Sequence, residues 1–358
     1  MWRGTQPRTS SFDIPCSAFD IPRGLAQDFT RVPAIAPQRT PALSPETPKV
    51  SLAVAMVAWR SRATLPMSLG ALRSLRREFD LDLAIVDNAS GDGTADEARR
   101  LAPWATVVEN PENVGFARAS NQAASLTRAP LLLFLNPDAG IGVADVRRLT
   151  EALNRRPRAA AAAPVLFDRH GRLWPSGAAD PGPWRYWLHY SLIGPACRRL
   201  RSFAGTALRG LGFGLETRPV DWLMGACLLV RRSAFEEAGG FPDSYFLYSE
   251  DAELGFRFRQ RGYENLYVGA ARALHDQGAS AEQSKAETRV AFFRSLRLYG
   301  QRCRDSAWLR GMRRSIVCDM RLRLAWVAAV RPFHRRRDAL AARRAAYEKI
   351  LDLWMRPH

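Results

Sequence analysis

The stretch Leu131-Leu-Leu-Phe-Leu-Asn-Pro-Asp138 decides the fold prediction, because five apolar residues run directly into a turn that carries a carboxylate. A short apolar run bounded by turn residues is typical of a strand buried on both faces of a sheet. Ser51–Ala58 and Leu81–Val86 are runs of the same kind, and leucines at helical spacing separate them. Strands that alternate with helices in this way predict an open, mostly parallel, twisted α/β sheet flanked by helices.

The chain divides into three predicted parts. Residues 1–47 are rich in proline, serine, threonine and arginine and have no sustained period, which is typical of a disordered tail. Residues 48–280 hold the α/β sheet, with further strands predicted at 106–109, 226–230 and 265–268. Residues 281–358 are predicted to form a basic helical extension. Thr64, Ser233 and Ser249 precede helical segments and are the predicted N-caps.

The positive charge of the chain is unevenly distributed. The formal net charge is +18, and from Lys285 onwards 19 Lys and Arg residues stand against 6 Asp and Glu residues. Such an excess suits nucleic acid or an anionic membrane, and it also fits simple solubility. No zinc-finger spacing or RNP-like motif accompanies it, and these basic residues stand outside the α/β part. The sequence therefore does not favour nucleic-acid binding.

Several classes of protein are excluded by missing patterns. The five cysteines include no C-x-x-C pair, which argues against a zinc ribbon and a disulfide framework and favours a reducing cytoplasm. No stretch reaches the roughly 18 apolar residues of a membrane-spanning helix, and the N-terminus has no apolar h-region. G-x-G-x-x-G and G-K-[ST] are absent, which excludes a Rossmann cofactor site and a P-loop at the motif level.

Two aspartates follow predicted strands, and ligands of open α/β sheets bind at the carboxyl ends of strands. Asp87 could contact a base or a ribose, with an Asx-turn as the alternative. Burying an unpaired carboxylate at Asp138 is costly, and a divalent cation that bridges two phosphates would compensate its charge. Asn136 and Pro137 would also form an ordinary type I turn.

Glu250 and Asp251 end the segment Phe246-Leu-Tyr-Ser-Glu-Asp251, just after a predicted N-cap. Helix initiation explains part of this pattern, because carboxylates are favoured in a first turn. A carboxylate at a rigid helix start, beside a bound metal and diphosphate, also suits deprotonation of an acceptor hydroxyl. A lone histidine such as His275 is more often structural, but together with Asp138 it is a candidate metal ligand.

Taken in order, six segments resemble the inverting GT-A glycosyltransferases of family 2, especially the bacterial rhamnosyltransferase-like branch. The resemblance runs from about Val50 to Ser280, and it is specific because all six segments match in order and spacing. The segments are Val86-Asp-Asn-Ala-Ser-Gly-Asp-Gly-Thr94, Asn113-Val-Gly-Phe-Ala117 with Asn121, Asn136-Pro-Asp138, Gly225-Ala-Cys-Leu-Leu-Val-Arg-Arg232, Gly239-Gly-Phe241 and Phe246-Leu-Tyr-Ser-Glu-Asp251. The first strand departs from the family pattern, since it ends in Ala58-Trp59-Arg60.

The resemblance implies a donor side of the site. The D-x-D motif of the family is reduced here to Asn136 and Asp138, so Asp138 would hold a divalent metal, Mg²⁺ or Mn²⁺, with help from His275. The nucleotide-sugar would be bound by Asp138 and by residues of the preceding motifs. These are Asp87, Asn88, Asn113, Gly115 and Asn121.

The resemblance also implies an acceptor side and a reaction. Asp251 would be the general base, Glu250 would contact the acceptor, and Trp222 and Tyr248 would line the acceptor side. The expected reaction is inverting transfer of a sugar, from dTDP-L-rhamnose or a UDP-hexose, to a hydroxyl of a cell-surface glycan or a lipid-linked acceptor. A catalytically inactive nucleotide-sugar-binding scaffold is the alternative.

The basic C-terminal extension has two interpretations. Arginines surround apolar residues at near-helical spacing, among them Phe292, Leu296, Leu322 and Trp326. This pattern fits an interfacial helix on an anionic membrane, which would put the protein on the inner face of the plasma membrane. It equally fits helices that pack on the catalytic domain with a solvated basic face. The sequence carries no signal for an oligomeric state.

Overall fold

A computed structural model describes residues 49–171, 173–174, 176–192, 216–276, 285–331 and 337–356. The predicted tail, 1–47, lies outside these residues. The strands are β1 (Ser51–Ala58), β2 (Asp80–Asp87), β3 (Thr106–Glu109), β4 (Leu131–Leu135), β5 (Ala139–Ile141), β6 (Ala159–Phe167), β7 (Leu173–Trp174), β8 (Gly177–Ala178), β9 (Thr217–Val220), β10 (Trp222–Leu223), β11 (Cys227–Arg231) and β12 (Glu264–His275). The helices are α1 (Leu65–Glu78), α2 (Thr94–Leu101), α3 (Phe116–Ser125), α4 (Val143–Arg155), α5 (Pro183–His189), α6 (Arg232–Glu237), α7 (Glu250–Gln260), α8 (Lys285–Cys303), α9 (Ser306–Val330) and α10 (Arg337–Met355).

The predicted open sheet forms the centre of the protein, and it has ten strands. Its order is β3-β2-β1-β4-β11-β6-β12-β5, with β7 beside β6 and β9 beside β12. The first four strands in this order are parallel. From β11 onwards most pairings are antiparallel, since β11 runs against both β4 and β6, and β12 runs against β5 and β9 although it is parallel to β6. The carboxyl end of β4 and the amino end of β11 therefore lie at the same edge of the sheet.

Both faces of the sheet are buried, and β1 shows how the sequence achieves this. Leu52, Val54 and Met56 point to the face that packs against α1 and α4, whereas Ala53 and Ala55 point to the face covered by α3 and α7. Successive side chains of a strand alternate between faces, so a strand covered by helices on both sides must be apolar throughout. The long apolar runs in the sequence follow from this arrangement.

Some local predictions are wrong. β12 extends to His275, well beyond the predicted 265–268, and a register irregularity between Val268 and Arg272 interrupts its pairing with β6. Thr64 and Ser249 stand at N-cap positions but make no side-chain cap hydrogen bond, and Thr64 donates to the Ser61 carbonyl instead. Helix α6 begins at Arg232, so Ser233 lies inside its first turn. None of the described helices has the length and hydropathy needed to cross a membrane.

Helices α8, α9 and α10 pack together and against α5 through one apolar cluster. Phe292, Phe293 and Leu296 of α8 are buried in it or at its edge, and Trp354 of α10 is fully buried. The interpretation that the helices of the extension pack on the protein therefore holds for the face of α8 that carries Phe292, Phe293 and Leu296. Leu322 of α9 is 42% exposed, and contact of the extension with an anionic membrane stays a prediction.

Asp319 anchors α9 to α5 and is completely buried. Its Oδ2 accepts hydrogen bonds from the Tyr186 hydroxyl (2.7 Å) and from Arg323 Nε (2.8 Å), and its Oδ1 accepts one from the Leu192 N–H (2.7 Å). A buried carboxylate is tolerated when every lone pair meets a donor of this kind.

Replacing Asp319 with alanine should lower the free energy of unfolding by about 3 kcal/mol, because the Arg323 guanidinium would stay buried without its partner. Urea denaturation of the full chain measures this loss. Glu348→Ala, which removes the exposed pair with Arg344, is the control and should cost less than about 1 kcal/mol. Equal losses in the two variants would contradict the anchoring role.

Candidate active site

The Asp87 loop lies where β1 and β2 end side by side, because Ala58 pairs with Asp87 in their parallel register. Asp87 is buried, and its Oδ1 accepts hydrogen bonds from the Ser90 N–H (3.1 Å) and from the Ser90 hydroxyl. Trp59 follows β1 and is 38% exposed, with the Arg60 guanidinium 5.1 Å from the centre of its ring. A partly exposed indole beside a fixed carboxylate can stack on a nucleotide base.

Asn88 joins the Asp87 loop to the segment before α3. Its Nδ2 donates to Asn113 Oδ1 (2.8 Å) and to the Gly115 carbonyl (3.3 Å), and its Oδ1 accepts from the Val114 N–H (3.1 Å). Asn113 Oδ1 also accepts from the Gly115 N–H at 3.0 Å. The structure therefore brings together four of the predicted nucleotide-binding residues at one edge of the sheet.

Gly115 is required at its position for two reasons. Its φ is +85°, and a Cβ there would lie 2.7 Å from the Phe246 carbonyl oxygen. This contact belongs to a hydrogen bond from the Phe116 N–H to the same oxygen, at 2.8 Å. Only glycine allows both the backbone conformation and the close approach. The start of α3 is thereby tied to the loop that leads into Glu250.

Asn121 contacts the loop after α6 and is not part of the hydrogen-bond network of Asn88 and Asn113. Its Nδ2 donates to the Phe241 carbonyl (2.7 Å) and to Asp243 Oδ1 (2.9 Å), and its Oδ1 accepts from the Phe241 N–H (2.9 Å). Both amide hydrogens therefore hold the loop after α6. These contacts favour a structural role, and a nucleotide contact of Asn121 stays a prediction.

Asp138 and His275 face each other across the pairing of β5 with β12, in which His275 is opposite Ala139. Asp138 Oδ1 lies 3.5 Å from His275 Nε2, and the two side chains are 14% and 8% exposed. The Asn136 side-chain nitrogen lies 3.5 Å from the same Nε2. A carboxylate oxygen and an imidazole nitrogen at this separation can occupy neighbouring positions around one divalent cation.

These donors fit a cation that shares its coordination with a substrate. Within the described residues there is no cluster of three or more His, Cys, Asp or Glu side chains that could hold a metal by itself. Mg²⁺ sites commonly use one or two carboxylates together with phosphate oxygens and water. His275 Nδ1 is buried without a hydrogen-bond partner in the part of the chain that the structure describes, so nothing there prevents Nε2 from being the lone-pair nitrogen.

Asp251 lies in the first turn of α7. Its Oδ2 accepts the Gly225 N–H (3.2 Å) and its Oδ1 accepts the Ala252 N–H (2.8 Å). Burial raises the pKa of Asp251 to about 6, although its backbone hydrogen bonds, including those from Gly225 and Ala252, act to lower it. A carboxyl with this pKa is ionised at neutral pH and is a stronger base than an ordinary aspartate.

Glu250 is buried directly beside Asp251. Burial, and then the negative charge of Asp251, raise the pKa of Glu250 well above its ordinary value. Its Oε2 is buried with no hydrogen-bond partner among the described residues. The pair therefore favours a protonated Glu250 next to an ionised Asp251, which supplies one proton donor and one proton acceptor.

Aromatic side chains stand on the segments that adjoin this pair. Tyr248 is half-buried, and Phe246 is 58% exposed. Trp222 packs on α7 where Gly255 leaves room, since a Cβ there would lie 2.6 Å from Trp222 Cβ. Tyr190 also lies near Asp251, because burial and then the charge of Asp251 raise the pKa of Tyr190 to about 12.

One backbone segment connects the two acidic centres. Gly225 donates its N–H to Asp251, and the Ala226 carbonyl accepts the Asn136 N–H at 2.9 Å, two residues before Asp138. The Asn136 bond continues the β4–β11 ladder beyond Leu135 and Cys227. Asp138 and Asp251 therefore flank the same short segment at the edge of the sheet that also carries Asp87.

Three residues near the site were not singled out as site residues by sequence reasoning. Gly225 and Asn136 stand in recognised motifs but contribute a backbone N–H and a side-chain amide, which no residue-type pattern distinguishes. Tyr190 directly follows α5, a helix that was not predicted from the sequence. A separate surface depression of about 510 Å³ is lined by Arg73, Arg76, Arg77, Leu101, Pro103 and Trp104. These residues precede β2 and β3, at the opposite edge of the sheet from the site.

Known structures share this fold. The mannosyltransferase PcManGT from Pyrobaculum calidifontis, solved with GDP-Man and Mn²⁺, superposes with a TM-score of 0.50 over 88% of this chain and 90% of its own, at 16% identity. GalNAc-T7, solved with UDP, GalNAc and Mn²⁺, has a TM-score of 0.50 over 86% of this chain and 56% of its own, at 15% identity. At such identities the likeness establishes the GT-A fold alone.

Sequence comparison extends the likeness to the family. The N-acetylglucosaminyl-diphospho-decaprenol L-rhamnosyltransferase of Mycobacterium tuberculosis H37Rv is 33% identical over 248 residues, which are 66% of this chain and 80% of the relative. The hexosyltransferase Agl10 of low-salt glycan biosynthesis in Haloferax volcanii is 24% identical over 215 residues, 55% of this chain and 59% of the relative. The family model for glycosyl transferase family 2 matches residues 53–239, more than half of the chain. The chain therefore belongs to glycosyl transferase family 2.

Proposed function

We propose that this glycosyltransferase is inverting and metal-dependent, and that it transfers a sugar from a nucleoside diphosphate donor to a hydroxyl of a lipid-linked or cell-surface glycan. The observation that carries the proposal is Asp251, a buried carboxylate with a raised pKa, joined through Gly225 and Ala226 to the Asp138 turn. A base and a diphosphate-binding carboxylate on either side of one segment suit a single displacement. Family membership does not favour the alternative of an inactive scaffold.

In the proposed reaction, Asp251 takes the proton of the acceptor hydroxyl. The acceptor oxygen forms a bond to the anomeric carbon while the bond from that carbon to the diphosphate oxygen breaks on the opposite face. One displacement of this kind inverts the anomeric centre, and the proton on Asp251 later passes to water. A base with a pKa of about 6 is suited to this step at neutral pH.

Glu250 is proposed to orient the acceptor. As a protonated carboxyl whose Oε2 lacks a partner among the described residues, it can donate a hydrogen bond to a second oxygen of the acceptor sugar. Trp222 and Tyr248 are proposed to provide the apolar surface on which sugar rings pack. Asp87 and Asn88 are proposed to bind the nucleotide, with Trp59 stacked on its base.

Asp138 and His275 are proposed to hold Mg²⁺ or Mn²⁺ together with the donor diphosphate. When bound there, the cation would supply Lewis-acid neutralisation of the leaving diphosphate. The separation of 3.5 Å between Asp138 Oδ1 and His275 Nε2 supports this assignment. The presence of Mn²⁺ in the mannosyltransferase and GalNAc-T7 structures makes Mn²⁺ a suitable probe.

The donor and acceptor are proposed from the mycobacterial relative. Its name describes an L-rhamnosyltransferase that acts on N-acetylglucosaminyl-diphospho-decaprenol. We propose dTDP-L-rhamnose as the first donor to test, with UDP-hexoses next, and a polyprenyl-diphosphate-linked sugar as the acceptor class. Such an acceptor lies at a membrane, and the exposed Arg310, Arg314 and Arg321 of α9 support binding to anionic lipid on the inner face of the plasma membrane.

Asp251→Asn should lower kcat/KM for sugar transfer by about 10³-fold, because the general base is lost. In the wild type, activity should rise as the pH increases through about 6, since Asp251 is protonated below that pH. The variant should lack this acid limb. Initial rates with a panel of nucleotide-sugars across pH 5 to 8.5 (about half a unit apart) provide the measurement.

Two controls accompany the Asp251 measurement. The folded state holds the Asp251 proton more tightly than the unfolded chain does, so the stability linked to this proton is present at low pH and is lost as the pH rises through about 6. Asp251→Asn should therefore melt no lower than the wild type at neutral pH. Glu151→Gln changes an exposed carboxylate of α4, outside the proposed site, and should keep the wild-type rate. Wild-type transfer by Asp251→Asn would rule out Asp251 as the base.

Asp138→Ala should weaken Mn²⁺ binding in the presence of dTDP or UDP by roughly 100-fold, and His275→Ala by roughly 10-fold, because each change removes a proposed ligand. Titration calorimetry and the EPR signal of free Mn²⁺ measure this without any turnover. Asp82→Asn changes a half-buried carboxylate of β2 that accepts the Arg128 N–H, and this variant should bind Mn²⁺ normally. Unchanged Mn²⁺ binding in Asp138→Ala would remove the metal role.

The full chain should sediment with vesicles that contain phosphatidylglycerol and not with neutral vesicles, and high salt should release it. Replacing Arg310, Arg314 and Arg321 with glutamine should weaken binding by roughly 1 kcal/mol per arginine. Equal sedimentation with neutral and anionic vesicles, or none with either, would discard the membrane proposal.

A further inference from the structure

We propose that helix α8 of the C-terminal extension positions the catalytic carboxylates, with Ser295 and Arg302 as its positioning residues. This inference rests on the proposed role of Asp251. Ser295 holds the loop immediately before Glu250 and Asp251, and Arg302 holds the helix immediately after them. The C-terminal extension would then contribute to catalysis by positioning the carboxylates, without contact between Ser295 or Arg302 and a substrate.

The loop before the carboxylates needs external support. Tyr248 and Ser249 are consecutive non-glycine residues in the left-handed region, each with φ of 69°. Such a conformation is unfavourable for residues with a side chain, and it persists only where the surroundings impose it. Ser249 is the N-cap residue of α7 and makes no side-chain cap hydrogen bond that would fix this turn locally.

Helix α8 contacts this loop directly. The Ser295 hydroxyl, which is buried, donates a 2.7 Å hydrogen bond to the Leu247 carbonyl, the last carbonyl before the strained pair. The ring of Phe292, one turn earlier, packs edge-on to Tyr248 with 6.1 Å between ring centres. Together these contacts fix the peptide that enters Tyr248, so they restrict how Glu250 and Asp251 leave the turn.

Helix α8 also holds the other side of the carboxylate pair. Arg302 Nε donates to Glu253 Oε2 (2.8 Å) and Arg302 Nη2 donates to Glu253 Oε1 (3.0 Å), a two-point contact with a side chain that is 3% exposed. Glu253 also accepts the Tyr245 hydroxyl at 2.7 Å. Paired donors of this planar kind fix orientation as well as position. Since Glu253 is two residues beyond Asp251 on α7, Arg302 sets the placement of the first turn.

The test uses the full chain with Ser295→Ala, Arg302→Gln and the double variant. We expect kcat to fall by roughly 10- to 100-fold in the double variant, with little change in the KM for the donor, because a small displacement of a base is costly to catalysis. The acid limb of the pH–rate profile should move away from pH 6, since the surroundings of Asp251 would change. Arg302→Lys should recover part of kcat, because it keeps the charge but not the two-point contact.

The matched control is Arg313→Gln, which removes a 2.7 Å hydrogen bond from α9 to the Met355 carbonyl of α10 and leaves the loop alone. It should lower the melting temperature without moving kcat or the pH profile. If the double variant behaves like this control, the positioning role is wrong even when Asp251→Asn is inactive. If Asp251→Asn itself is fully active, the proposed base fails first, so the two failures are distinguishable.

Discussion

The hydrogen bonds of the segment Gly225–Ala226 are the constraint on which the site depends. One peptide group donates to Asp251, and the next carbonyl accepts from Asn136 at the start of the Asp138 turn. This connection exists because β11 runs antiparallel to β4, which puts the end of one strand beside the beginning of the other. In a wholly parallel sheet the residues before β11 would lie at the opposite edge. The change of direction at β11 therefore brings Asp251 of α7, the proposed base, close to the Asp138 turn, the proposed diphosphate site.

Three neighbouring carboxyl groups of α7 have different surroundings, and their pKa values shift in different directions. Although burial opposes it, hydrogen bonds from Arg302 and Tyr245 and the charge of Arg257 lower the pKa of Glu253, which stays ionised. Glu250 and Asp251 receive no cationic partner among the described residues, and burial raises both of their pKa values. Environments that separate the pKa values of adjacent carboxyls are typical of acid–base sites. The fully paired Glu253 supports a turn whose other two carboxyls are energetically costly.

The sequence predicted what depends on local patterns and missed what depends on distant contacts. Apolar runs located β1, β2, β3 and β4, and Asp87 and Asp138 lie at strand ends as expected. The contact of Gly115 with Phe246 joins segments more than a hundred residues apart, and that of Ser295 with Leu247 joins segments about fifty apart. No periodicity encodes such contacts. The length of β12 was missed for a related reason, since its register irregularity interrupts the strand pattern before His275.

In the folded protein, several arginines of the basic C-terminal extension are paired with other groups of the chain. Arg302 and Arg323 bind buried or nearly buried carboxylates, and Arg313 donates to a helix-end carbonyl. An arginine whose N–H groups are paired with acceptors of the protein contributes less to the positive surface potential than its formal charge indicates. The proposed membrane attraction therefore rests on the arginines that stay exposed, among them Arg310, Arg314 and Arg321, and not on the net charge as a whole. Part of the positive charge of the extension is therefore paired inside the protein, since Arg302 binds Glu253 of the catalytic domain and Arg323 binds Asp319 within α9 itself.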